Sequence, residues 1–114
     1  MANPPQAGAF TAARRTSRVR TAWREAGRSG EPRVAALAYF SLGAEAEKGS
    51  REYLLDDYGW LGDYASAIAD GALRTEDAVA GAVKAFADAG VSELNLDPTV
   101  SSLDPVDRMA DVVL

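Results

Sequence analysis

The chain contains neither cysteine nor histidine, so thiol chemistry, disulfides and the commonest general base and metal ligand are all missing from it. Any catalysis falls to carboxylates, hydroxyls, arginine or a borrowed cofactor. The adjacent acids Asp56 and Asp57 invite a metal or acid/base role. Neighbouring helical positions point in different directions, however, so the two cannot converge on one ion without a further partner. Solvation is their expected role. Tyr53, Trp60 and Tyr64 could form an aromatic patch, of the kind found in cores and interfaces more often than on a cofactor. The stretch "GAEAEKGS" lacks the spacing and terminal Lys-Ser/Thr of a phosphate-binding loop, and "GVSELNLDP" has no glycine-rich phosphate signature. No residue is assigned as catalytic, cofactor-binding or metal-ligating.

The elements that would position these groups follow from spacing. Residues 1–10, with Pro4, Pro5 and Gly8, read as a disordered N-terminal arm. From Thr11 to Ala26 the residues Val19, Ala22, Trp23 and Ala26 fall on one helical stripe, with arginines opposite. "GRSGEP" ends that helix. Val34 to Phe40 is then seven consecutive apolar residues between Pro32 and Gly43. Such a run suits a strand covered on both faces, as in a parallel sheet. Ala44 to about Ala72 is helical, with Leu54, Tyr58, Leu61, Ala65 and Ile68 on one face and a break expected near Gly49-Ser50. Thr75 opens a helix with Glu76 and Asp77 at its positive end, Val79, Ala82, Val83 and Phe86 inward, and Gly90 just past its end. A strand follows from Val91 to about Leu96. A last helix starts with Asp104 as N-cap and Pro105 at the first position, and Val106, Met109, Ala110 and Val113 line its inner side.

The fold class is therefore α/β, in the order α-β-α-α-β-α, with two parallel strands joined through a long helical connection. Two strands do not make a stable sheet covered on both faces by themselves, so the sheet is expected to be incomplete. The charge is uneven. Up to Arg33 there are seven arginines against Glu25 and Glu31; beyond it, five basic residues face fifteen acidic ones, and the net charge is −5. The basic arm could touch nucleic acid, but an exposed helix face is the expected explanation. With no apolar run long enough to span a membrane, no secretory leader and no cysteine, a cytoplasmic location without a membrane partner is expected.

At "GEPRVAALAYFSLG", "YLLDDYGWLGDYASAIADGAL" and "AFADAGVSELNLDPTVSSLDPVDRMADVVL" the chain resembles the C-terminal end of the luciferase-like monooxygenase family. The resemblance runs from about Trp23 to Leu114 and rests on two framework phrases. One is a glycine-flanked apolar strand, the other an Ala-Gly-Val turn into a strand ending Leu-Asp-Pro. It implies a flavin-dependent oxidoreductase, using FMN or the deazaflavin F420, on a (β/α)8 (TIM-type) barrel. "RVAALAYFSL" would be the seventh strand and "VSELNLDP" the eighth, so residues 11–114 would be a C-terminal fragment of that barrel. The family holds its flavin mainly through upstream strands and loops that match nothing in these residues. The resemblance thus implies a truncated monooxygenase, inactive as an isolated chain and not binding FMN or F420 by itself. Barrel chemistry lies at the C-terminal strand ends, where Ser41 and Asp97 are the candidate pocket-lining residues. The alternative is a non-enzymatic remnant that self-associates, most simply as a homodimer, or pairs with a missing barrel half. Nucleic-acid binding through the first helix is the least expected reading.

Overall fold

The apolar run between Pro32 and Gly43 does become a strand, β1 (Ala35–Phe40), and the second becomes β2 (Glu93–Pro98). The computed structural model describes residues 7–114. The part of the expected arm that precedes residue 7 lies outside the described residues. The two strands pair in parallel, Ala35 opposite Glu93 through Phe40 opposite Pro98. Around them stand α1 (Ala7–Glu25), α2 (Ala46–Tyr58), α3 (Asp63–Asp70), α4 (Glu76–Asp88) and α5 (Asp104–Val113). The long helical stretch is thus two helices, separated by a 3-10 turn at Gly59–Leu61, which adds one helix to the expected order. Among the described residues no helix is long and apolar enough to cross a membrane.

The path between the strands is not a single crossover. After α2 and α3 the chain returns to the point it left. The Leu73 amide donates to the Tyr39 carbonyl at 2.9 Å, and the Ser41 amide donates to the Leu73 carbonyl at 2.9 Å. These two bonds form a one-residue parallel bridge between Leu73 and Phe40. α2 and α3 are therefore an excursion from the C-terminal end of β1, and α4 alone carries the chain back to the start of β2. Thr75 caps α4 by accepting from the Ala78 amide at 3.0 Å.

Strand alternation divides the sheet. Ala36, Ala38, Phe40, Leu94 and Leu96 turn toward the helices and pack with Leu42, Leu73, Val79, Ala82, Phe86, Val106, Met109 and Val112. Ala35, Leu37 and Tyr39 share the opposite face with their partners Glu93, Asn95 and Asp97. Leu37 on that face is 50% exposed. A smaller core of Leu54, Ala69 and Ala72 joins α2 to α3, with Tyr39, Tyr58 and Ile68 packed on it.

Several details differ from the spacing argument, each for a local reason. In α1 the inward face runs through Ala12, Thr16 and Arg20, while Val19, Ala22 and Ala26 are exposed. The Arg20 guanidinium donates to the Gly90 carbonyl at 3.2 Å, closing an open carbonyl beyond α4. That contact turns α1 away from its apolar stripe. At α5 the residue before the helix is Leu103, with no side-chain cap; Asp104 instead pairs with Arg108 at 2.7 Å. Val112 rather than Val113 reaches the core.

α2 also runs unbroken through Gly49, where a break was expected. A Cβ at Gly49 would stand 2.7 Å from Val100 Cγ2, so this glycine lets the loop after β2 lie against the helix. Helix propensity alone makes Gly49→Ala stabilising by about 1 kcal/mol. The close approach of a stiff β-branched side chain reverses the sign, and a loss of about 1–3 kcal/mol is expected from overpacking. Urea denaturation of the two proteins measures it, and a gain in stability would refute the packing argument.

Candidate functional site

Three connections meet at the C-terminal end of the sheet: residues 41–45 after β1, 71–75 before α4, and 99–103 after β2. Each is fastened there by backbone. The Thr99 amide and hydroxyl both donate to the Phe40 carbonyl, each at 3.1 Å. Gly43 turns with φ +94°, and a Cβ there would stand 2.9 Å from Asp104 Oδ2 and 3.1 Å from Arg108 Nε. The positive φ favours glycine here, and any side chain would also have to displace the exposed Asp104–Arg108 pair.

Both candidate residues lie at this end, but in different surroundings. Ser41 is fully buried, and its Oγ has no hydrogen-bond partner among the described residues. Asp97 is half-buried on the open face, opposite Tyr39. The hydroxyls of Tyr39 and Tyr58 share a hydrogen bond, and their rings meet edge-on with centroids 6.1 Å apart at 67°. This bond pushes the Tyr39 phenol pKa well above its ordinary value; burial and the nearby Tyr58, Tyr53 and Asp97 charges act in the same direction. Tyr39 therefore stays protonated at neutral pH. Its hydroxyl can donate or accept a hydrogen bond.

Behind the tyrosines, a charged network holds the excursion. Arg74 forms an ion pair with Glu47 at 3.1 Å, donates to Ser50 Oγ at 2.8 Å, and donates to the Ala69 carbonyl at the end of α3. Arg51 bridges Glu47 at 3.1 Å and Asp70 at 2.8 Å. Burial lowers the Arg74 pKa and Arg51 adds to this, while Glu47 and Asp70 oppose it. Hydrogen bonds to Asp70 and then Glu47 raise that of Arg51. Arg74, Tyr39 and Tyr58 were not singled out from the sequence. The signal for Arg74 was the phrase "GALRT", a short non-helical link carrying a cation between two helices.

Asp56 and Asp57 are both exposed on α2, as solvation requires. Tyr53, Trp60 and Tyr64 are exposed at 46%, 79% and 64%, so they belong to no core. Among the described residues no three acidic side chains gather to hold a metal ion. The residues at this end do not fit the phosphate of a flavin such as FMN or F420. Arg74 is committed to Glu47, Ser50 and a helix carbonyl, Arg108 to Asp104, and the open side presents the Asp97 carboxylate.

The tyrosine pair makes stability depend on alkaline pH. A phenol held protonated in the folded state contributes fully below its unfolded pKa, near 10, and the contribution is lost as pH rises above that. Tyr58→Phe removes the partner hydroxyl and should cost about 0.5–1.5 kcal/mol at neutral pH. It should also flatten the fall in urea midpoint above pH 10 relative to the parent chain. Parallel pH profiles for the two proteins would show that the pair is not coupled to folding.

No family model, curated protein or solved structure matches the chain, and a functional reading of this end rests on its own geometry.

Proposed function

We propose that this chain is the closing two-strand unit of a luciferase-like, flavin-dependent oxidoreductase barrel, without catalytic activity as an isolated chain. One observation carries the reading. The two parallel strands have their main helix layer on one face, while the opposite face is open except at Tyr39, under α2 and α3, and both sheet edges are open apart from the Leu73 bridge at the end of β1. A barrel wall has this construction: helices outside, alternating side chains inside, and a neighbouring strand on each edge. The excursion of α2 and α3 stands over the C-terminal strand ends, where barrel enzymes keep their chemistry. Bound flavin, FMN or F420, would supply the redox step. Asp97 and Tyr39 would contribute to the wall of the pocket rather than to the flavin phosphate, with Ser41 buried behind it. A cytoplasmic setting agrees with the absence of cysteine.

A second reading is favoured by the same open edges together with the half-exposed Leu37: a non-enzymatic module that self-associates to complete its sheet. Burying a large apolar side chain of this kind contributes roughly 1.5–3 kcal/mol, a sizeable share of the stability of a small domain.

Titration of FMN and of F420 into the purified chain, followed by fluorescence and absorbance, tests the first reading. No saturable binding at low micromolar concentration is expected, and saturation there would establish an autonomous flavoprotein. Sedimentation across a concentration series tests the second. Mass should rise with concentration, and a constant monomer would eliminate self-association.

A further inference from the structure

The backbone alternation fixes what each open edge offers. The carbonyl of Val34 accepts from the Ser92 amide at 2.8 Å and that of Phe40 from the Thr99 amide at 3.1 Å, so even-numbered residues of β1 face β2. Odd-numbered residues face outward. At Tyr39 and Ser41 that outward side is taken by Leu73, which leaves the N–H and C=O of Ala35 and Leu37 on the open edge. In β2 the same register turns Leu94 and Leu96 outward, followed by Pro98, which has no N–H. Two consecutive outward residues on one edge thus match two on the other, and each edge is closed off at the same end of the sheet.

The edge of β1 borders a groove of about 510 Å³, walled on the far side by Thr11, Ala12, Arg15 and Thr16 of α1. Thr16 Oγ1 is buried there without a hydrogen-bond partner among the described residues. α4 lies between α1 and α5 in the helix layer, which puts α1 on the β1 flank and α5 on the β2 flank. The flanks differ in charge. α1 exposes Arg14, Arg15 and Arg18, whereas α5 exposes Asp107 and Asp111, with Asp104 paired to Arg108.

Resting on the self-association reading above, we infer that the occupant of this groove is the β2 edge of a second copy. The copies join head-to-tail, and α5 of one lies beside α1 of the next. A two-fold contact of β1 with β1 brings two arginine flanks together, and one of β2 with β2 brings two aspartate flanks together. Only the heterologous contact sets opposite charges side by side. Such a contact repeats from copy to copy and closes as a ring or continues as a chain.

The test is sedimentation at low salt of the parent chain and three variants. One carries Arg14→Glu, Arg15→Glu and Arg18→Glu, one carries Asp107→Lys and Asp111→Lys, and one carries all five substitutions. The parent should form species larger than a dimer. Each partial reversal should weaken association by about tenfold or more, as several like-charged pairs at about 0.2–1 kcal/mol each require, and the combined variant should recover it. If the aspartate reversal leaves association unchanged while the arginine reversal strengthens it, the contact is two-fold through α1 and the inference is wrong. Failure of the combined variant to recover also overturns it. A parent chain that is monomeric throughout removes the self-association reading itself. Leu37→Pro gives an independent check, because it deletes an outward N–H and no ladder bond to β2. It should remain folded by circular dichroism and lose association; folded and still fully associated, it would show that this edge is not the contact.

Discussion

Leu73 pairs with Phe40 through two backbone hydrogen bonds, and this short bridge decides where both cores lie. Side chains alternate along extended backbone, so adjacent residues in the paired segments serve different cores. Phe40 and Leu73 enter the main core under α4, while Tyr39 and Ala72 enter the smaller one between α2 and α3. A slip of one residue at either segment would exchange those assignments and put Tyr39 among the alanines of the helix layer. The excursion is thus attached by register as well as by contact area. Its two ends are held together at the strand terminus, and the loop after β2 lies against it at Gly49.

Arg74 follows directly from that bridge. With Leu73 fixed in the sheet and Thr75 fixed as the cap of α4, the residue between them has little freedom, and its side chain is drawn under the end of α3. A charge taken that far from water costs free energy unless its donors are matched. The guanidinium meets this demand with Glu47, Ser50 and the Ala69 carbonyl. The same Glu47 also binds Arg51, which reaches Asp70, so the network ties the first turn of α2 to the last turn of α3. The consequence for function is negative but specific. The best-placed cation near the strand ends is engaged by Glu47, Ser50 and the Ala69 carbonyl in holding the excursion.

Legibility in the sequence followed the range of the interactions. The strand at Ala35–Phe40, the cap at Thr75, the turn at Gly90 and the stripe of Val79, Ala82 and Phe86 are set by neighbours within a few residues, and spacing was enough to place them; Val83, expected in the same stripe, is exposed. The inner face of α1 was not readable in this way. Its orientation depends on Arg20 reaching Gly90, seventy positions along the chain, and local apolar spacing carries no trace of that contact. Gly49 misled for the same reason, because its meaning lies in Val100. Ser41 and Asp97 were chosen through the barrel resemblance as strand-end residues, and the two strands do end beside them. The Tyr39–Tyr58 pair was missed because Tyr39 closes an apolar run and reads as core. Only the alternation of the finished strand shows that it faces away from Phe40.

One of the polar atoms left over lies at the same boundary as an open strand edge. Besides Arg20 Nε, which lies 3.5 Å from Glu31, Ser41 Oγ and Thr16 Oγ1 are buried without a hydrogen-bond partner among the described residues, and an unmatched buried hydroxyl costs about 1–3 kcal/mol. Neither sits in the packed layer between α4 and the sheet, where every large side chain is apolar. Thr16 lines the groove along the outer edge of β1, and Ser41 lies where β1 gives way to the excursion. In a domain whose stability is a small difference between large terms, the Thr16 hydroxyl is the one of the two that lies beside an open strand edge, since Leu73 already closes the edge at Ser41. The backbone groups that the ladder leaves facing outward lie at Ala35 and Leu37 on one side of the sheet and at Leu94 and Leu96 on the other.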